Sequence, residues 1–106
     1  MIMLSIANEF TDTPGARDKK EGSFSGEEFR EKLLEPKYNK AIKENSKLLV
    51  DLDGGYGYAT SFLEEAFGGL ARIYYPDEIL ETIVLKSDDE PSLVEEIKEY
   101  IRDARK

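Results

Sequence analysis

Residues 48–73, LLVDLDGGYGYATSFLEEAFGGLARI, decide the fold of this chain. The opening apolar run predicts a buried strand, and its nearly continuous hydrophobicity favours a strand that is covered on both faces. Glycines then predict a turn, and apolar residues at helical spacing predict a helix that begins near Thr60 and Ser61. The pair Gly68-Gly69 lies inside this helix and costs about 1 kcal/mol per residue relative to alanine. It therefore indicates close packing against a neighbour or an early helix end.

Strands and helices alternate along the rest of the chain. Alternating apolar residues predict a first strand over residues 2–7, and a short apolar run predicts a third over residues 82–86. Residues 8–25 predict a long loop, which could hold a short edge strand. An amphipathic pattern predicts a final helix after Pro91. This order predicts one α/β domain over residues 1–106, with a largely parallel sheet joined by right-handed crossovers.

The first long helix has a clear start in the sequence. Ser25 and Glu28 match the S-x-x-E capping box, and Phe24 and Phe29 stand at the positions of a hydrophobic staple. Pro36 predicts that this helix ends or kinks, because proline cannot donate the helical hydrogen bond. A second helical piece is expected to follow.

The composition excludes several kinds of chemistry. The 106 residues include no cysteine and no histidine, which excludes disulfides, thiol catalysis, zinc–thiolate sites and imidazole triads. A formal net charge of -8 argues against nucleic acid, because phosphate contacts need clustered lysine and arginine. No segment approaches the roughly 20 apolar residues of a membrane span. We expect a cytoplasmic protein with no signal peptide, no membrane contact and no cofactor.

Four runs of residues resemble the STAS-like domain family of unknown function. They are G-A-R at 15–17, G-S-F-S-G-E-E-F-R at 22–30, V-D-L-D-G at 50–54 and T-S-F-L-E-E-A-F-G-G-L at 60–70. That family is similar to the STAS domains of bacterial anti-sigma-factor antagonists and of sulfate transporters. The resemblance implies a small α/β domain with a mixed, mostly parallel sheet of about four strands, packed with three to four helices.

The resemblance also implies a signalling role without catalysis. In bacterial STAS antagonists, a Ser or Thr at the start of the helix after the central strand is phosphorylated by a partner protein, a Ser/Thr kinase of the histidine-kinase-like ATPase fold. Phosphorylation there blocks partner binding. Ser61 and Thr60 occupy the matching place and are the phosphorylation candidates. The rest of the expected partner-binding surface comprises Gly57, Tyr58, Glu64 and Glu65.

A simpler interpretation of Ser61 is structural. Ser61 and Glu64 match a second S-x-x-E pattern, so Ser61 could cap the helix and contribute about 1 kcal/mol. This interpretation needs no modification of the side chain.

Two further functions remain open. The LLVDLDGG run resembles the nucleophile strand of haloacid-dehalogenase-like phosphatases, in which Asp51 and Asp53 would serve a small Mg²⁺-dependent phosphotransferase. The loop with Arg17, Gly22 and Ser25 offers backbone N–H groups, a cation and a helix start, which suit an anion such as phosphate. A phosphotransferase and an anion- or ligand-binding module are therefore the alternatives to the interaction module.

Overall fold

A parallel three-stranded sheet forms one side of the protein, for which the computed structural model describes residues 1–104. Its strands β1 (Ile2–Ser5), β2 (Leu48–Asp51) and β3 (Ile83–Lys86) lie in the order β1-β2-β3. The predicted α/β domain with a largely parallel sheet is confirmed. The expected four strands are one too many for the described residues, and both strand pairs are parallel rather than mixed. The loop after the first strand holds a helical turn and no strand.

Five helices occur in the described part of the chain: α1 (Ile6–Glu9), α2 over residues 26–43, α3 over residues 60–73, α4 (Pro76–Thr82) and α5 (Ser92–Asp103). Both long helices contain a π-helical turn. In α2 the turn Arg30–Leu34 joins Gly26–Phe29 to Glu35–Lys43, and in α3 the turn Glu64–Gly68 joins Thr60–Leu63 to Gly69–Ile73. The prediction of three to four helices missed the single turn α1.

The start of α2 keeps the predicted cap but only half of the capping box. Ser25 Oγ accepts a hydrogen bond from the Glu28 N–H at 3.0 Å, whereas the Glu28 carboxylate pairs with a lysine of the next turn. The Phe24 ring packs edge-on against Phe10 at a centroid distance of 5.4 Å, and Phe10 packs against Phe29 at the same distance. The expected staple is therefore made through a third ring.

Pro36 does not end α2, which continues to Lys43. The N–H of Glu35 bonds to the Arg30 carbonyl, five residues earlier, as the π-helical turn requires. The wider turn relieves the contact that a proline ring makes with the preceding turn of an α-helix. The helix can therefore pass through the proline without a break.

Only one face of the sheet is covered, so the prediction that β2 is covered on both faces is wrong. On the inner face Leu4, Leu48 and Val50 are completely buried. On the outer face the register aligns Met3, Leu49 and Val84 in one row, which remains exposed or half-buried. Because the strand order never reverses, right-handed crossovers place the connecting helices on the same side.

The free edge of β1 is blocked by an ion pair. Lys37 Nζ donates to the Met3 carbonyl at 2.9 Å, and the Ser5 N–H donates to Glu9 Oε2 at 2.7 Å. The Lys37 ammonium and the Glu9 carboxylate also pair with each other at 2.7 Å. These side chains occupy the main-chain groups that another strand would use, so this edge is protected against strand addition.

The core lies between the inner face of the sheet and the two long helices. Rings from both helices meet there: Phe29 of α2 lies 5.7 Å from Phe62 and 6.5 Å from Phe67 of α3, between ring centroids. All three side chains are completely buried. No helix in the described range 1–104 is both long enough and apolar enough to span a membrane.

Candidate functional site

The start of α3 carries the two predicted hydroxyl groups and lacks a side-chain cap. The N-cap residue is Ala59, and Thr60 and Ser61 are the first two helical residues. Thr60 is exposed and Ser61 is half-buried. The interpretation of Ser61 as the helix cap is therefore wrong, because the cap position lies two residues earlier. The Glu64 carboxylate, which would complete a capping box, instead pairs with two arginines.

Two backbone N–H groups are open at this helix start. The N–H groups of Phe62 and Leu63 both donate to the Ala59 carbonyl, at 3.1 and 3.3 Å. Those of Thr60 and Ser61 have no hydrogen-bond partner among residues 1–104. Free N–H groups and the positive end of the helix dipole together favour an anionic group at this position.

The turn before α3 is anchored at one tyrosine and exposed at another. Tyr58 Oη donates to the Leu52 carbonyl at 2.9 Å, and burial raises the pKa of the Tyr58 phenol. Tyr56 is 85% exposed, and Gly57 adopts a φ of 115°, which L side chains rarely tolerate. The Tyr56 ring is therefore open to solvent, four residues before Thr60 in the chain.

The long loop after α1 borders the same turn. The Tyr56 N–H donates to the Asp12 carbonyl at 2.9 Å, and the Ala59 N–H donates to the Pro14 carbonyl at 3.2 Å. The loop then continues to Ala16, whose carbonyl accepts from the first N–H of α2. No sequence pattern predicts this arrangement, since the two bonds between the loop and the turn join main-chain groups more than 40 residues apart.

The predicted partner-binding carboxylates Glu64 and Glu65 lie in a cluster of ion pairs within the chain. Arg17 Nη1 lies 2.6 Å from Glu64 Oε1, and Arg72 Nη1 lies 2.7 Å from Glu64 Oε2. Arg30 Nη1 lies 2.5 Å from Glu65 Oε2 and donates to the Glu65 carbonyl at 2.8 Å. Hydrogen bonds from Arg72 and then Arg17 lower the pKa of Glu64, against the effect of burial. The cluster joins the loop, α2 and α3.

The glycine pair of α3 makes room for this cluster. A Cβ atom on Gly68 would lie 2.5 Å from Glu64 Oε2, and one on Gly69 would overlap the Arg30 guanidinium. The helix itself continues to Ile73. Of the two explanations for Gly68-Gly69, close packing is therefore confirmed.

The residues predicted to bind an anion are distributed over three places. The Arg17 guanidinium lies on Glu64, and Ser25 is completely buried as the cap of α2. Gly22 lines an open depression of about 450 Å³ together with Lys19 and Lys32. The structure does not bring the three predicted residues around one common point, and an anion site in this loop remains a prediction.

Asp51 and Asp53 lie at the carboxyl ends of the strands, where they join two loops. Asp53 accepts hydrogen bonds from Lys86 Nζ at 2.7 Å and from the N–H groups of Asp88 and Asp89 at 3.0 and 2.8 Å. Asp51 Oδ1 accepts from the Asp53 N–H at 2.9 Å. Among the described residues there is no group of three or more acidic side chains suited to a metal ion. The Mg²⁺-dependent alternative remains a prediction.

Asp53 is expected to contribute to stability against acid. The N–H of Asp89 first, then Lys86 and the N–H of Asp88, lower the pKa of Asp53 from 3.8 to about 2. A lowered pKa stabilises the folded state above the unfolded pKa, and this contribution is lost as the pH falls from about 4 to 2. The stability of Asp53→Asn should therefore fall less steeply with decreasing pH over this range than that of the natural protein. Urea unfolding midpoints measured from pH 2 to pH 5 check this.

The control for this prediction is Asp88→Asn. It keeps the main-chain N–H that bonds Asp53, so the acid-dependent loss should persist in that variant. An equally steep loss in Asp53→Asn and in the natural protein would contradict the assigned role of Asp53.

These features define a small α/β domain with an uncapped helix start beside an exposed tyrosine turn. Residues 25–93 match the model of the family described as the STAS-like domain of unknown function (DUF4325), and the chain belongs to this family. The match confirms the resemblance over residues 25–70 and extends it to residue 93, whereas the G-A-R run at 15–17 lies outside the match. No curated protein and no solved structure gave a match.

Proposed function

We propose that this domain is a non-catalytic protein-interaction module in signalling, and that phosphorylation at the start of α3 switches it. The contact surface, here called the α3-start surface, comprises Tyr56, Gly57, Tyr58, Thr60 and Ser61. The observation that carries the proposal is the open helix start, where two free N–H groups adjoin two hydroxyls. The exposed ring of Tyr56 adds a side chain of a type that is enriched where proteins bind one another.

A phosphate on Ser61 would change the charge of this surface by about -1.5 to -2. The free N–H groups and the helix dipole would stabilise it. Glu64 and Glu65 lie one turn later and would repel a phosphate if their charges were free. Arg17, Arg30 and Arg72 offset those charges through the ion pairs described above. The cluster therefore makes an anionic modification compatible with two adjacent glutamates.

A Ser/Thr kinase of the histidine-kinase-like ATPase fold is the proposed partner, as the family resemblance implies. In this mechanism the unmodified α3-start surface binds the partner. The added phosphate would have to lose bound water in the contact, which costs free energy. It would also repel any acidic group that the partner places there. Binding is thereby lost without any change in fold.

Ser61→Asp is expected to reduce recovery of the partner about tenfold, which corresponds to about 1.4 kcal/mol of binding free energy. The tagged protein, Ser61→Asp and the control Ser92→Asp are isolated from the natural host, and co-purifying proteins are compared by quantitative mass spectrometry. Ser92 is an exposed serine at the start of α5, so the control adds the same charge at another helix start.

The same preparations are digested, and the peptide that contains Thr60 and Ser61 is searched for phosphate. A phosphopeptide together with selective loss of one bound protein in Ser61→Asp supports the proposal. Identical sets of bound proteins from all three preparations, with circular dichroism confirming folded variants, would contradict it.

A further inference from the structure

The outer face of the sheet carries a continuous apolar row. The register aligns Met3, Leu49 and Val84 across the three strands. Met3 is 60% exposed, Val84 is 39% exposed, and Leu49 between them is half-buried. Parallel sheets occur almost only where both faces are covered, because their crossovers place helices on the faces. The uncovered face is therefore an incomplete layer of the structure.

The dimensions of this face decide what can cover it. Three strands about 4.8 Å apart and four residues long give a patch of about 14 by 13 Å, on the order of 200 Å². A second copy stacked on this face would bring a chain of the same net charge, -8, against it, which disfavours self-association. A helix is about 10–12 Å wide and matches the patch in one layer. It would cover the outer face as α2 and α3 cover the inner one.

The charge beside this row indicates which charged side chains the covering helix should carry. The next row across the sheet is Ser5, Asp51 and Lys86. The Lys86 ammonium is surrounded by three carboxylates: Asp53 at 2.7 Å, Asp88 at 3.0 Å and Asp51 at 4.0 Å. This margin is thus negative by two charges, in a chain of net charge -8. Basic side chains beside the apolar stripe of a helix would complement it.

We propose that the outer face of the sheet docks an amphipathic helix of a partner protein, with its apolar stripe over Met3, Leu49 and Val84 and its basic side chains beside Asp51 and Asp88. This surface shares no residue with the α3-start surface and does not depend on phosphorylation. Blockage of the β1 edge by Lys37 and Glu9 favours docking on the face over strand addition at that edge.

The probe for this surface is a synthetic amphipathic helical peptide of about 14 residues made of leucine and lysine, about 21 Å long. It is added to the isotope-labelled full chain at 150 mM salt, and backbone amide shifts are followed by NMR. The largest shifts are expected at Met3, Leu49 and Val84. The double variant Met3→Gln/Val84→Thr should bind the peptide at least about tenfold more weakly. Neither change alters the net charge.

The matched control is Ile42→Gln/Ile73→Gln, which removes two exposed isoleucines elsewhere without changing the charge. It should bind the peptide as the natural chain does, and so should Ser61→Asp. A peptide with glutamate in place of lysine should bind the natural chain more weakly than the lysine peptide does.

Three results would overturn the proposal. The first is that the amide shifts map away from the outer row, or that the two double variants bind the lysine peptide equally well. The second is that the glutamate peptide binds as well as the lysine peptide. The third is self-association in sedimentation experiments that Met3→Gln/Val84→Thr abolishes, which would make a second copy the occupant.

Discussion

Gly26→Ala is expected to destabilise the domain by about 3 kcal/mol, at the upper end of the usual cost of overpacking. Helix propensity alone predicts the opposite sign, since alanine is favoured over glycine in helices by up to about 1 kcal/mol. The added Cβ, however, would lie 2.5 Å from the Phe62 carbonyl oxygen and 3.2 Å from its carbonyl carbon. These are main-chain atoms of α3, which no side-chain rotation can move. The contact should therefore outweigh the propensity.

Urea unfolding followed by circular dichroism measures this effect. Gly15→Ala is the matched control, because no atom lies within 4 Å of its added Cβ and its φ is not positive. It should unfold within about 0.5 kcal/mol of the natural protein. A Gly26→Ala variant as stable as the control would mean that α2 and α3 do not meet main chain to main chain.

Arg30→Met is expected to cost about 2–3 kcal/mol, slightly less than the loss of one partner from a fully buried ion pair. The Arg30 side chain is only 12% exposed and its partner Glu65 only 19%. Methionine retains much of the apolar stem but leaves the Glu65 carboxylate with Arg17, at 3.5 Å, as its remaining cation. The cost arises mainly from a half-buried carboxylate that has lost its nearest donor.

The comparison for this prediction is Lys19→Met. Lys19 pairs with Glu31 at 2.5 Å, but the two side chains are 52% and 43% exposed, so water screens the pair. Its loss should have little effect on the free energy of unfolding. The double variant Arg30→Met/Glu65→Gln should be more stable than Arg30→Met alone, because the orphaned charge is gone. Equal costs for Arg30→Met and Lys19→Met would rule out a special role for the Arg30 pair.

These two predictions concern residues in two of the runs that carry the family resemblance. Gly26, Arg30 and the E-E-A-F-G-G run all lie where α2 crosses α3. Their chemistry there is structural: glycine permits close approach, and the arginines neutralise the glutamates. This leaves the hydroxyls and the exposed turn at the start of α3 as the candidates for the proposed signalling role. Substitutions where α2 crosses α3 should therefore change stability, whereas substitutions at the start of α3 should change partner binding.

The sequence by itself determined the elements that depend on local patterns. Apolar periodicity located the three strands and the long helices, Ser25 marked the start of α2, and the missing cysteine and histidine excluded whole classes of chemistry. The family resemblance also followed from short runs of residues. These features are readable because propensity, capping and side-chain periodicity act over a few neighbouring residues.

Only the tertiary structure decided which groups meet. Arg17 and Glu64 are 47 residues apart, and Arg30 and Glu65 are 35 apart, so no local pattern predicts either pair. The cap of α3 fell at Ala59 although the S-x-x-E spacing favoured Ser61, and the Glu64 carboxylate pairs with Arg17 and Arg72 instead. The apolar run of β2 does not indicate whether one or both faces of the strand are covered. That depends on the side of the sheet on which the crossovers lie.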